Sequence, residues 1–182
     1  MKNKNLVSLC ESAIMVALAA VLSFFKIKLW GNGGSVDLVM VPLIVLGWRR
    51  GWKWSIPSGL AFGFIKCLIS EALGYGLISV LFDYVLAYGL VGFAGFFRNE
   101  KYGLVLGTLA ASLLRFAAHF VSGITVWRLA VGENVELFGS SYSGDTAALY
   151  SLIYNGSYML FNMLAALLLV VILRRTLLKI PK

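Results

Sequence analysis

The chain has 182 residues, 60% of them hydrophobic, a mean hydropathy of +0.86 and a formal net charge of +8 at pH 7. Only 13% of residues are charged, against about 25% in soluble domains, which excludes an ordinary soluble fold. Long apolar runs exclude a closed β-barrel, which needs short alternating strands, and basic residues at the ends of those runs read as topology signals, not as a nucleic-acid surface.

The first apolar run spans Leu6 to Leu29. It lacks a small-residue cleavage site and is expected to be a retained membrane helix, not a signal peptide. Ala13 and Ala17 make a small-xxx-small pair within it. That spacing lets a second helix approach closely, in another protein or inside this one. Trp30 to Ser35 follows as a turn-forming loop. Its glycines do not make a phosphate loop, because neither a GxxxxGK[ST] pattern nor a preceding strand accompanies them. A lid carrying Trp30 is expected instead. The second run, Val36 to Trp48, is interrupted by Pro42 and falls short of the roughly 20 residues that cross a bilayer. It is expected to be tilted, kinked or re-entrant.

The third run covers Trp54 to Leu73, with Pro57 near its start and Lys66 inside it. The fourth, Leu77 to Phe97, holds Asp83 and Tyr84. The fifth runs from Tyr102 to Leu129 and the sixth from Ala147 to Leu173, with the longest polar section, Gly132 to Asp145, between them. The expected fold is an all-α integral membrane protein, a single domain over residues 1–182 with six transmembrane helices. Six crossings put both termini on one side. Lys2, Lys4, Arg49, Arg50, Lys53, Arg98, Lys101, Arg174, Arg175, Lys179 and Lys182 all fall on that side. By the positive-inside rule the termini are then cytoplasmic. Asp37, Glu71, Asp83, Glu133, Glu136 and Asp145 fall toward the opposite half, which is thereby suited to attract a cation.

The fifth run carries the single histidine of the chain. Arg115, His119, Gly123 and Trp127 stand four apart, a spacing that keeps them on one helix face. Ionisable side chains at membrane depth face a protein interior or a cavity. This face is expected to wall a binding site, with Gly123 leaving room for a ligand to lie against the helix. Cross-linking of helices by Arg115 and His119 is the competing reading. Asp83, Tyr84, Tyr150 and Asn155 are expected at similar depth. An acid, an amide, an imidazole and several aromatics together suit a flat, cationic, hydrogen-bonding small molecule. Tyr88 and Tyr158 read equally well as an interfacial belt.

No HExxH or GxSxG motif is present, so no catalytic residue is assigned. Ser122, His119 and Asp83 occur, but their spacing does not support a catalytic triad. Cys10 and Cys67 form no CxxC or Cys/His grouping, and neither a disulfide, a metal site nor a cofactor is expected. Without a nucleotide-binding loop the chain cannot drive ATP-dependent transport alone. It is also small for a transporter built from paired repeats. A binder that borrows a motor from partners fits both facts.

Four stretches of the sequence resemble one family: Glu11 to Leu18, Gly33 to Asp37 with Met40 to Pro42, Asp83 to Ala87, and His119 to Trp127 followed by Tyr150 to Asn155. Over essentially its whole length the chain resembles the substrate-binding S-components of energy-coupling-factor vitamin transporters, within them the thiamine-binding group. The His-xxx-Gly-xxx-Trp spacing, the acidic-Tyr pair and Tyr-xxxx-Asn are the specific features. The resemblance implies that Trp127 stacks on the thiamine rings and that His119 and Tyr84 line the thiazolium side. It implies that Asp83 balances the positive charge or binds the aminopyrimidine, and that Tyr150 and Asn155 hydrogen-bond and close the pocket. It further implies that Trp30 sits on the lid loop and that Ala13 and Ala17 meet a transmembrane coupling subunit. Two ATPase subunits complete such a complex, in a bacterial plasma membrane. Some relatives carry glutamate where this chain has Asp83, so its contact reaches a methylene less far. An S-component for another vitamin, or a small proton-coupled exporter of aromatic cations, remains the alternative.

Overall fold

The computed structural model describes residues 3–29, 34–70, 72–126, 128 and 132–180. Trp30 and Trp127 lie outside the described residues, as does the Gly31–Gly33 stretch of the expected lid. The described chain forms six principal helices: α1 (Lys4–Leu22), α2 (Met40–Arg50), α3 (Trp52–Ile69), α4 (Leu77–Phe97), α5 (Gly103–Thr125) and α6 (Ala147–Leu177). Two short antiparallel hairpins join them. Strand β1 (Ile27–Lys28) pairs with β2 (Ser35–Val36), and β3 (Val135–Leu137) pairs with β4 (Ser140–Tyr142).

The six helices differ in length and apolarity. The α1, α4, α5 and α6 segments are long and apolar enough, with mean hydropathies between 1.7 and 2.2. Helix α2 has 11 residues, about 16 Å at 1.5 Å per residue, roughly half of a 30 Å hydrocarbon core. The six expected helices are present, four of them long and apolar enough to cross a membrane, and the second is as short as its interrupted run implies. Helix α3 has 18 residues but carries Lys53 and Lys66 and does not reach the apolarity of those four. Helix α2 compensates by lying in the centre, with Met40 to Arg49 all buried. Asp37 precedes it, its carboxylate Oδ1 accepting from the Val39 N–H at 3.3 Å, and the helix begins at Met40, four residues later than the apolar run.

Glycines set the distance between α3 and α4. A Cβ on Gly59 would stand 2.2 Å from the Tyr88 carbonyl oxygen, and one on Gly63 would stand 2.5 Å from that of Tyr84. The two backbones are thus in near contact, as small residues permit in membrane bundles. Ser55 seals the same seam by donating to the Gly92 carbonyl at 2.6 Å. The core gathers Leu43, Ile44, Phe62, Tyr88, Val91 and Met159 around α2. Outside, Ile14, Phe24, Leu77, Leu113, Leu168 and Ile172 are exposed, the inverse of a soluble surface and suited to lipid tails.

Helix α1 is the most loosely held. Ser8, Ser12 and Ala19 are its only buried residues among those described. It is tied instead by Glu11, whose two carboxylate oxygens accept from Nε of Arg49 and Nε of Arg50 on α2. Ala13 and Ala17 stand on the exposed face. The basic ends of the other helices converge at the same pole. A cleft there of about 570 Å³ is lined by Trp48, Arg98, Lys101, Arg174 and Lys179, among others.

Candidate binding site

The site is built where α4, α5 and α6 meet, away from that basic pole. Helix α4 is not regular here: Val80–Leu86 winds as a π-helix. Such wide turns rotate successive side chains off the α-helical register and occur often at functional sites. Asp83 lies in this turn, and Ser122, Ser79 and His119 help to orient its carboxylate. Ser122 Oγ donates to Oδ2 at 2.7 Å, and Ser79 Oγ donates to the same oxygen at 2.9 Å. His119 Nδ1 faces Oδ1 at 3.0 Å, and against an acceptor-only carboxylate it is the donor. The Asp83 side chain is 17% exposed and the His119 side chain 10%. The other imidazole nitrogen, His119 Nε2, is buried and makes no hydrogen bond within the described protein.

Sequence spacing alone did not favour a Ser-His-Asp grouping, yet the fold brings Ser122, His119 and Asp83 together. The grouping is not a catalytic triad. Ser122 donates to Asp83, whereas a nucleophilic serine must bond the base nitrogen that its histidine uses for proton transfer. The arrangement fixes a carboxylate and presents an imidazole, which suits binding.

Helix α6 supplies the opposite wall. Asn155 Nδ2 donates to the His119 carbonyl at 3.3 Å and to Ser151 Oγ at 3.1 Å. Tyr158 Oη donates to Asn155 Oδ1 at 2.8 Å, and the Tyr158 ring meets the imidazole edge-on, 5.9 Å between centroids. An aromatic column climbs from there. Tyr154 packs against Tyr158 at 5.8 Å, Tyr150 stacks on Tyr154 at 5.6 Å, and Tyr142 of β4 meets Tyr150 at 5.6 Å. The β3–β4 hairpin therefore rests on this column through Leu137 and Tyr142.

Several sequence expectations change here. The face beside Gly123 is not open. A Cβ at that position would stand 2.1 Å from Ser151 Oγ and 3.1 Å from Asn155 Nδ2, so the glycine admits α6 where a ligand was expected. Arg115 cross-links helices: its Nη2 donates to Tyr88 Oη at 3.0 Å and its guanidinium lies 4.4 Å from the Tyr88 ring centre. Tyr88 and Tyr158 are both buried, 2% and 7% exposed, so neither belongs to an interfacial belt. Tyr84 packs against Cys67, Ala72 and Val80. Asp83, His119, Asn155 and the Tyr150 column do come together; Trp30 and Trp127 lie outside the described residues. Spacing did not single out Ser79, Ser122, Ser151 or Asn162. A signal existed for the last helix, because 151, 155, 158 and 162 repeat at steps of three and four. Among the described residues no group of three His, Cys, Asp or Glu could hold a metal ion.

Comparison with known proteins gives a consistent picture. The sequence profile described as "Thiamine transporter protein" matches residues 9–182. Thiamine transporter ThiT of Bacillus subtilis (strain 168) is 29% identical over 174 residues, 87% of this chain and 85% of that one. A solved structure of ThiT from Listeria monocytogenes is similar over 96% of each chain, with a TM-score of 0.78 and 26% identity.

Proposed function

The chain belongs to the thiamine transporter protein family, and from that premise we propose that it captures thiamine on the outer side of a bacterial plasma membrane as the substrate-binding subunit of an energy-coupling-factor transporter. Its family is one of transporters, not of enzymes, and its apolar helices make it a multi-pass membrane protein. The observation that carries the reading is the partly buried Asp83–His119 pair beneath a column of tyrosines. A desolvated carboxylate is matched to a permanent organic cation. Each aromatic face near that cation adds about 0.5 to 2 kcal/mol. The unpartnered His119 Nε2 is a buried polar atom, and such an atom is costly until a ligand or water meets it. In this reading Asp83, His119, Asn155 and Tyr150 contact thiamine, with Tyr84, Trp30 and Trp127 completing the site.

The proposed orientation places the basic pole of Arg49, Arg50, Arg98, Lys101, Arg174 and Arg175 in the cytoplasm, with both termini. Partners supply the motor: a transmembrane coupling subunit and two ATPases. The exposed strip of Ala13 and Ala17 on the loosely held α1 is the proposed contact with the coupling subunit. Uptake into proteoliposomes tests the whole reading. Labelled thiamine is expected to accumulate only when the coupling subunit, the ATPases and ATP are all present. Accumulation by this chain alone, driven by a pH gradient, would establish the exporter-like alternative instead.

The strip makes its own prediction. Replacing Ala13 and Ala17 together by Leu inserts bulk into a close helix contact, at about 1 to 3 kcal/mol. Recovery of the coupling subunit by co-purification is expected to fall by about 10-fold or more. The thiamine Kd is expected to stay at its wild-type value, since both residues stand on the exposed face of α1. Unchanged co-purification removes the strip from the interface.

A further inference from the structure

Asn162 is 1% exposed, lies two turns beyond Asn155 on α6, and has no role in the binding site described above. Yet all its polar atoms are used. Its Oδ1 accepts from the Asp37 N–H at 3.1 Å, and its Nδ2 donates to the Ser35 carbonyl at 2.9 Å and to the Tyr158 carbonyl at 2.8 Å. It thus clasps the chain leading into α2 on both sides of Val36. Tyr154 holds the same segment one step earlier, its hydroxyl accepting from the Gly34 N–H at 2.8 Å. From Asn162 the bonds continue toward the site. Tyr158, whose carbonyl Asn162 grips, donates to Asn155 and sets its ring against His119. Asn155 holds the His119 backbone, and His119 holds Asp83.

We infer that Asn162 is a positioning residue for the ligand site: acting through Tyr158, it ties the Gly34–Asp37 segment to the His119–Asp83 pair, so that the pair is oriented only while that segment is docked on α6. A buried amide left half-satisfied is costly, whereas a fully bonded one fixes a single arrangement. Every polar atom of Asn162 is bonded, and each bond reaches either the Gly34–Asp37 segment or Tyr158. A side chain that merely filled space there would be apolar. The inference deepens the thiamine reading and rests on it for one of two readouts.

The single histidine makes the other readout clean. In full-length protein labelled with ¹⁵N-histidine, the imidazole signals report the His119–Asp83 contact without any ligand. Asn162→Asp keeps the acceptor for Asp37 but loses both donated bonds. Tyr158→Phe removes only the hydroxyl. Both variants are expected to move the imidazole signals, and in the same direction. The thiamine Kd is expected to rise by about 10-fold in Asn162→Asp, as loss of one or two hydrogen bonds allows. In the Tyr158→Phe background the same substitution should add less than about 2-fold, because the path is already cut. A purely structural role would lower the melting temperature, leave the imidazole unmoved and act equally in both backgrounds; that pattern overturns the inference. Should Asn162→Asp not fold, Tyr158→Phe decides alone, and imidazole signals identical to wild type overturn it. Wild-type protein that ignores thiamine would contradict the proposed function, while the ligand-free signals would still decide this one.

Discussion

Asp83→Asn is expected to raise the thiamine Kd by about 100-fold or more, the largest effect of any single substitution in the site. The change is nearly isosteric, and Ser79 and Ser122 can still donate to the remaining oxygen. What disappears is the charge. Removing one partner of a buried, hydrogen-bonded charge pair costs about 2 to 5 kcal/mol, and about 1.4 kcal/mol is tenfold in affinity. The loss should be specific to the cation. A neutral aminopyrimidine fragment that lacks the thiazolium is expected to lose far less. Calorimetric titration of both ligands into both proteins measures the difference. Equal losses for the two would show that Asp83 serves the pyrimidine and does not balance the charge. Thermal unfolding of the empty protein serves as the folding control.

Gly123→Ala is the second large effect, and it arises from packing. The new methyl group would meet Ser151 Oγ at 2.1 Å and Ser151 Cβ at 2.9 Å. Ser151 cannot simply rotate away, because it donates to the Phe120 carbonyl at 3.1 Å and accepts from Asn155. Helix α6 must then move off α5, and Asn155 moves with it. Overpacking of this kind costs about 1 to 3 kcal/mol, expected as a lower melting temperature and a thiamine Kd weakened by about 10- to 100-fold. The decisive variant is the double change Gly123→Ala with Ser151→Gly. It moves the side chain across the interface and is expected to restore most of both losses. Failure of that rescue, with the single variant still impaired, would mean that Gly123 faces the ligand after all.

How much of this was legible in the sequence varies from element to element. Helices α4, α5 and α6 lie close to where apolar runs place them, because long runs bounded by charge leave little freedom. The first run overshoots. It was expected to reach Leu29, but α1 ends at Leu22 and Ile27–Lys28 forms a strand. Phe24, Phe25 and Ile27 are apolar and exposed, and hydropathy cannot tell a helix interior from an apolar edge facing lipid. The β3–β4 hairpin was hidden for a different reason. Its two-residue turn uses Phe138 at φ 54° and Gly139 at φ 76°. That pair of positive φ angles is usually announced by Asn-Gly or Asp-Gly, not by Phe-Gly.

The site was half legible. Spacing marked Asp83, His119 and Asn155, because charged and amide groups in apolar helices stand out. It could not show the π turn that aims Asp83, since π geometry has no residue signature. Nor could it tell that the small residue at 123 admits a helix. A glycine reads the same whether ligand or protein fills the space beside it, and only Ser151 at 2.1 Å from its virtual Cβ decides. Tyr158 reads equally well as an interfacial residue, because a buried tyrosine and an interfacial one look alike in sequence, and Asn162 went unrecognised although the three-and-four repeat through residue 162 was there to be read.

The most direct measurement is a tryptophan-fluorescence titration of the purified full-length protein in detergent with thiamine, with riboflavin and biotin as controls and Asp83→Asn alongside. Saturable quenching by thiamine alone, strongly weakened in Asp83→Asn, is the expected result. Folded protein that shows no response to thiamine, or that responds equally in Asp83→Asn, would contradict a cation site built on the Asp83–His119 pair.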